Sequence, residues 1–277
     1  MRSQSWKRFD QQMKTDFLSR IIDQKKQEVE KARKLVPLSR LEEEAQTRGE
    51  RRSLFAGLSS RGPFEANIIA EVKRASPSKG DIRIDLDAAG LAHHYERAGA
   101  AAISVLTEQT FFRARPTDLQ TVRSAVTLPV LRKDFIISPY QVFETAAMEA
   151  DAVLLIVRAL SREALKDLIA LCHELHLDAL VEVHSEEELE EATLAGARLI
   201  GINNRDLKTF QTDLHTSVRL SGQLHEGQVA VAESGISERR QIEMLIGEGI
   251  WNFLIGESLV RAPDPGAFLK ELLGVHG

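Results

Sequence analysis

NIIAEVKRASPSKGD, residues 67–81, reads as a parallel strand that runs into a polar turn. Residues 67–73 are rich in the apolar side chains of a strand covered on both faces, yet Glu71 and Lys73 interrupt them two positions apart. A side-chain period of two points both to the same face, so the two ions are neighbours. An unpaired buried ion costs several kcal/mol, roughly, even after relaxation. The pair therefore stands as a structural ion pair at a strand end or as part of a ligand site, and these residues alone leave both readings open. Ser76, Pro77, Ser78, Lys79 and Gly80 follow as a turn whose hydroxyls and cation suit an anion.

The plan of that stretch recurs along the chain. Apolar β-type runs lie at 67–73, 101–106, 128–133, 152–157, 178–183, 198–203, 228–232 and 251–255, with helical patterns between them. Ser138 before Pro139, a Ser185–Glu188 capping box and Ser237 mark helix starts, and Gly99, Gly196 and Gly249 mark helix ends. Strands too apolar to leave either face wet, alternating with helices, predict a single α/β domain: a closed parallel (β/α)8, or TIM, barrel over residues 61–277. An open doubly wound sheet is the alternative, although no GxGxxG follows the first strand. Residues 1–60 belong to no repeat and predict an amino-terminal helical extension, with Phe17, Ile21, Ile22, Val29, Ala32 and Leu35 near one face. Such an arm plugs the bottom of the barrel, covers a helix groove or forms a lid over the strand ends.

At 277 residues and 43% hydrophobic, the chain can bury a large core. Its one cysteine, Cys172, excludes an intramolecular disulfide and fits a reducing compartment, and the charged amino terminus shows neither signal peptide nor anchor. A cytoplasmic protein without membrane partner is expected. A net charge of −5 argues against nucleic acid as the main partner.

Chemistry becomes legible when the strand ends are taken together, because that rim is where barrel enzymes place their working groups. Strand one offers Glu71 and Lys73, strand three Arg132, Lys133 and Asp134, and strand five Glu182. Strand six ends in Asn203, Asn204 and Arg205, strand seven in Glu233, Ser234 and Gly235, and strand eight in Gly256, Glu257 and Ser258. Ser234, Gly235 and Gly256 suit a phosphate cup built from backbone N–H groups. Lys73, Arg74, Lys79, Arg132, Lys133 and Arg205 crowd the same rim of an acidic chain, a local positive funnel for a polyanion.

IIAEVKRASPSKG, PVLRKDFIISPYQV, ADAVLLIV, ALVEVHSEEEL, IGINNRDLKTF, VAESGI and FLIGESLV together resemble the indole-3-glycerol-phosphate synthase family, from the first helices to the last strand. The resemblance implies a lyase of tryptophan biosynthesis that needs neither cofactor nor metal. Its substrate would be a sugar phosphate with an anthranilate moiety, 1-(2-carboxyphenylamino)-1-deoxyribulose 5-phosphate, and a monomer is the working expectation. It further implies Lys133 as general acid, Glu182 as general base and Lys73 near the substrate carboxylate, with Glu71 and Asn203 orienting these ions. Ser76, Arg205, Glu233 and Ser234 would bind substrate, and Ser234, Gly235, Gly256 and Glu257 the phosphate. For such roles the site should draw the pKa values of a lysine and a glutamate toward 7.

Two segments depart from the family pattern. Arg113, Ala114, Arg115 and Pro116 stand where a glycine and a small or acidic residue are expected, and Trp251 and Asn252 where small apolar residues are common. Cys172, His173, Glu174 and His176 lack metal-ligand spacing. The acidic run from Glu186 to Glu191 reads as a solvated helix face. Another sugar-phosphate barrel enzyme, such as an isomerase of a neighbouring step, would share the phosphate cup but need a different acid and base.

Overall fold

The computed structural model describes residues 2–206 and 211–275, with the side chains of the first helix from residue 18 onward. The Phe17 side chain of the predicted stripe and residues 207–210 of the IGINNRDLKTF motif lie outside the described residues. Three helices come first: α1 (Arg2–Leu35), α2 (Leu38–Thr47) and α3 (Leu54–Leu58). Eight parallel strands then close into a barrel: β1 (Asn67–Val72), β2 (Ala102–Leu106), β3 (Val130–Lys133), β4 (Ala152–Ile156), β5 (Asp178–Val183), β6 (Leu199–Asn203), β7 (Val229–Glu233) and β8 (Asn252–Ile255). β1 pairs with β2, Ile69 opposite Ala102, and with β8, Asn67 opposite Asn252, so the sheet has no free edge and the doubly wound alternative is excluded. No helix among the described residues is long and apolar enough to cross a membrane.

Strand alternation explains why these runs are apolar throughout. Ile69, Leu131, Leu154, Leu180, Leu199, Val231 and Leu254 turn inward into one packed interior. Ile68, Ala70, Val72, Ile103 and Val105 turn outward onto helices. The helices are α4 (Ala88–Ala98), α5 (Asp118–Ala125), α6 (Pro139–Ala147), α7 (Arg162–Glu174), α8 (Glu186–Leu194), α9 (His215–Ser221), α10 (Arg239–Gly247), a short α11 (Glu257–Arg261) and α12 (Pro265–Leu273). Ser138 Oγ accepts from Tyr140 N to start α6, with Pro139 in its first turn. Gly99 ends α4 at φ 99°, where a side chain would be strained.

Two local expectations change. The Ser185–Glu188 box forms only by half: Ser185 Oγ accepts from Glu188 N (3.3 Å), but the Glu188 carboxylate reaches past Ser185 to the backbone N–H of His184 (2.8 Å). Glu188 is thus not part of a solvated face; its side chain is 14% exposed and paired with Arg158. Trp251 lies just outside β8, its Nε1 donating to the Leu58 carbonyl (3.3 Å) and its ring 5.5 Å beneath the Arg61 guanidinium. Asn252 is buried at the seam, where Asn67 Nδ2 donates to its Oδ1 (2.8 Å) while its own Nδ2 reaches the Leu58 and Ala230 carbonyls (3.1 and 3.0 Å). A small apolar residue there would remove three buried hydrogen bonds, although Asn67 Nδ2 keeps the Ser60 carbonyl and the Leu58 carbonyl keeps Trp251 Nε1.

The amino-terminal helices serve opposite ends of the barrel. Leu54 and Leu58 of α3 belong to the inner core beside Ile69 and Leu131. Ser53 Oγ and Phe55 N both bond Asp178 at the start of β5 (3.0 and 2.9 Å), which seats α3 at the amino-terminal end. α1 instead contributes Leu18 and Ile21 to a cavity at the carboxyl ends of the strands. Its buried Lys25 pairs with Asp134 just past β3 (2.9 Å), and Val29 packs on Leu41 and Tyr140.

Candidate active site

A cavity of about 770 Å³ opens at the carboxyl ends of the strands. Alternation determines what lines it. Two positions beyond Ile69 on β1 comes Glu71, and two further Lys73; beyond Leu131 comes Lys133, beyond Leu180 Glu182 and beyond Val231 Glu233. The residues that pack the interior and the residues that face the cavity are therefore one inward-facing series, apolar below and ionic above. Asn203, Ser76, Arg205, Ser234, Gly235, Gly256 and Glu257 lie on the same wall, so the structure brings every predicted site residue to one cavity.

The ions form two linked groups. Lys73 Nζ lies 2.6 Å from Glu71 Oε1. Lys133 Nζ sits 3.6 Å from Glu182 Oε2 and 3.5 Å from Glu233 Oε2. Asn203 donates through Nδ2 to Glu182 Oε1 (3.2 Å), and its Oδ1 accepts from Arg205 N (3.0 Å). Two inward-facing glycines make room for carboxylates: a Cβ on Gly201 would collide with Glu233 Oε1, and one on Gly256 with Glu71 Oε1.

Three buried carboxylates around one ammonium decide the electrostatics. Burial would lower the Lys133 pKa, but Glu233, Glu182 and Glu71 outweigh it and hold the ammonium above the ordinary lysine range. Burial would raise Glu71, yet Lys73 and Lys133 keep it below the usual carboxylate range. Burial of Glu233, opposed by Lys133 and reinforced by Glu182 and Glu71, pushes that carboxyl up to about 8. The expectation that a lysine is drawn toward 7 is therefore reversed for Lys133. The group drawn toward neutrality is Glu233, because burial, with the neighbouring carboxylates added, outweighs the one ammonium beside it.

The cationic rim is smaller than the sequence indicates. Arg74 is buried against Asp118 and the Leu86 carbonyl, and Arg132 against Glu144 (2.7 Å) and Asp134 (3.4 Å). Both fall on the outward side of their strands, so neither lines the cavity. Lys73, Lys79, Lys133 and Arg205 do, joined by Arg261 from α11. Also lining the cavity, Ser234 and Gly235 take φ values of 67° and 84°, and Gly256 leaves the first turn of α11 without a side-chain cap. Uncapped N–H groups beside left-handed turns are suited to a phosphate.

Several residues of the site carry no sequence signal. Phe112 and Phe135, with ring centroids 6.3 Å apart, line the cavity with Leu18 and Ile21. The departure at 113–116 keeps the backbone of the expected glycine: Arg113 sits at φ 58°, the conformation that favours glycine, after a turn in which Glu108 accepts from Thr110, Phe111 and Phe112 N (3.0, 2.6 and 3.0 Å). His184 lies against Glu182, its Nε2 3.4 Å from Oε1. Among the described residues no group of three or more His, Cys, Asp or Glu is placed to hold a metal, and burial raises the Cys172 thiol to about 12.

Comparison with known proteins places the chain in a family. The family profile described as indole-3-glycerol phosphate synthase matches residues 18–272. A protein of that name from Syntrophobacter fumaroxidans is 56% identical over 95% of this chain and 99% of its own length. Another from Desulfosudis oleivorans is 53% identical over 93% and 98%. Among solved structures, a 3-hexulose-6-phosphate synthase superposes with a TM-score of 0.60 at 14% identity, covering 76% of this chain and 100% of its own, a likeness of fold alone. On profile, identity and coverage together, the chain belongs to the indole-3-glycerol phosphate synthase family.

Proposed function

We propose that this chain closes the indole ring. As a carboxy-lyase of tryptophan biosynthesis it converts 1-(2-carboxyphenylamino)-1-deoxyribulose 5-phosphate to indole-3-glycerol phosphate, releasing carbon dioxide and water. The observation that carries the reading is one charged ammonium, Lys133, between Glu182 and Glu233, in a cavity that also holds a phosphate-type cup. Lys133 protonates the ribulose carbonyl oxygen as the aromatic carbon attacks the carbonyl carbon. Lys73, balanced by Glu71, faces the substrate carboxylate that leaves as carbon dioxide. Glu182 then removes a proton from the methylene carbon while the new hydroxyl, protonated by Lys73, departs as water; transfer of the methylene proton from Glu182 to Lys133 across the 3.6 Å gap, with a solvent proton recharging Lys73, restores acid and base.

The other groups orient the reactants. Asn203 holds Glu182, Arg205 and Ser76 meet the sugar, and Glu233 positions the Lys133 ammonium beside the substrate. Ser234, Gly235, Gly256 and Glu257 receive the phosphate through backbone N–H groups. Leu18, Ile21, Phe112 and Phe135 cover the anthranilate ring. In this reading residues 61–277 are the catalytic barrel and 1–60 an extension that completes the site, with the small substrate as partner, no nucleic acid, a monomeric state and a cytoplasmic setting.

Indole fluorescence during incubation with the substrate tests the reaction. Lys133→Met and Glu182→Gln should each lower kcat at least ~100-fold, the low end for losing a general acid or base. Rapid quench should find no carbon dioxide from Lys133→Met, but carbon dioxide without indole product from Glu182→Gln. Full activity in either variant would overturn its assigned role.

A further inference from the structure

Glu182 uses its two oxygens differently. Oε2 faces Lys133 at 3.6 Å, while Oε1 receives Asn203 Nδ2 at 3.2 Å and lies 3.4 Å from His184 Nε2. The His184 ring is 3% exposed. Glu188 grips its far side, with Oε2 accepting the His184 backbone N–H (2.8 Å) and lying 3.2 Å from Nδ1, and Arg158 holds Glu188 in turn. A buried ring nitrogen is costly unless a polar atom faces it. Here that atom is Glu182 Oε1, since Nε2 makes no conventional hydrogen bond among the described residues.

The terminal torsion of a glutamate is broad and two-fold, so one contact fixes a point but not the plane of the carboxylate. Asn203 supplies one contact. We propose that His184 supplies the second and is a positioning residue: wedged between Glu188 and Glu182, it fixes Oε1 so that Oε2 stays aimed at Lys133 and the reacting carbon. The proposal rests on the reading of Glu182 as the base. It also gives the half-formed cap of α8 a purpose, because the carboxylate that would have closed the capping box is the one that holds the imidazole.

His184→Leu removes both ring contacts, and its kcat should fall at least ~10-fold with KM within ~3-fold, as expected when an acting group loses alignment rather than the substrate its grip. His184→Gln, which can still present a donor near the Nε2 position, should recover most of the loss. In the Glu182→Gln background His184→Leu should cost less than a further ~3-fold, since a residue that acts through Glu182 has nothing left to align. Independent, multiplicative losses or an unchanged kcat in His184→Leu would overturn the proposal. Should the leucine variant fail to unfold cooperatively, Glu188→Gln gives the same split in smaller measure, and no change in its kcat would be equally fatal. A Glu182→Gln enzyme as active as the parent would instead remove the base assignment itself.

Discussion

Glu233 and Gly201 form a pair in which a missing side chain gives a carboxylate its place. A Cβ at Gly201 meets the mobile end of Glu233 rather than backbone, so Gly201→Ala should leave the barrel folded and move the carboxylate away from Lys133. The expected outcome is a fall in kcat of about 10-fold or more with a loss of stability of only about 1–3 kcal/mol, read from steady-state kinetics and urea unfolding. Gly235 is different: at φ 84° and with Thr212 Cβ 3.0 Å from any added Cβ, Gly235→Asp should weaken phosphate binding and also destabilise the fold. Glu233 further sets a pH dependence. Its folded pKa lies above the unfolded value, so the native state holds a proton that the unfolded chain has released, and stability falls as pH rises from about 4.5 to about 8. Glu233→Gln should flatten that part of the Tm profile. Glu71, Lys73, Lys133 and Glu182 were legible as cavity residues from their places at strand ends, but position alone also admitted Arg74 and Arg132, which the period of two turns away from the face that the inner leucines define. The distribution of charge among the site ions was not legible, since it depends on how many carboxylates share one ammonium.

Among elements, the amino-terminal helices show why a sequence can supply an apolar stripe without its destination. The stripe of α1 demands a partner, but only tertiary structure shows Leu18 and Ile21 at the cavity and Leu54 and Leu58 of α3 in the opposite end of the barrel. Deleting residues 1–36 should therefore leave a cooperatively unfolding barrel with KM raised at least ~10-fold, the scale of losing two or three apolar contacts to the substrate ring. Leu58→Ala should cost about 2–5 kcal/mol without a matching change in KM, and deletion through residue 60 should abolish the cooperative transition. Thermal unfolding and kinetics on the same three variants separate the two roles. The Arg113 loop was legible as unusual but not in its backbone, because a left-handed φ leaves no periodic trace. The strands, by contrast, were readable within a residue or two, since burial on both faces forces unbroken apolar runs.

On the scale of the whole molecule, a chain with net charge −5 presents Lys73, Lys79, Lys133, Arg205 and Arg261 to a single opening. Raising ionic strength from ~0.01 M to ~0.15 M shortens the Debye length from roughly 30 Å to about 8 Å, so kcat/KM for a dianionic or trianionic substrate should fall several-fold while kcat holds. Stopped-flow measurement across that series checks it, and Arg261→Gln should reduce the slope. Closure of the barrel was legible only as a count of eight; the amide pair that reinforces the backbone pairing of its ends, Asn67 with Asn252, stood in the sequence as an oddity of the last strand. That seam spans 185 residues. On a ribosome adding about 5–20 residues per second, β1 emerges roughly 10–40 s before the strand that completes it, an interval in which an apolar edge has no native partner on that side. Birth of this protein thus includes a waiting period, and the asparagine pair is the clasp that ends it.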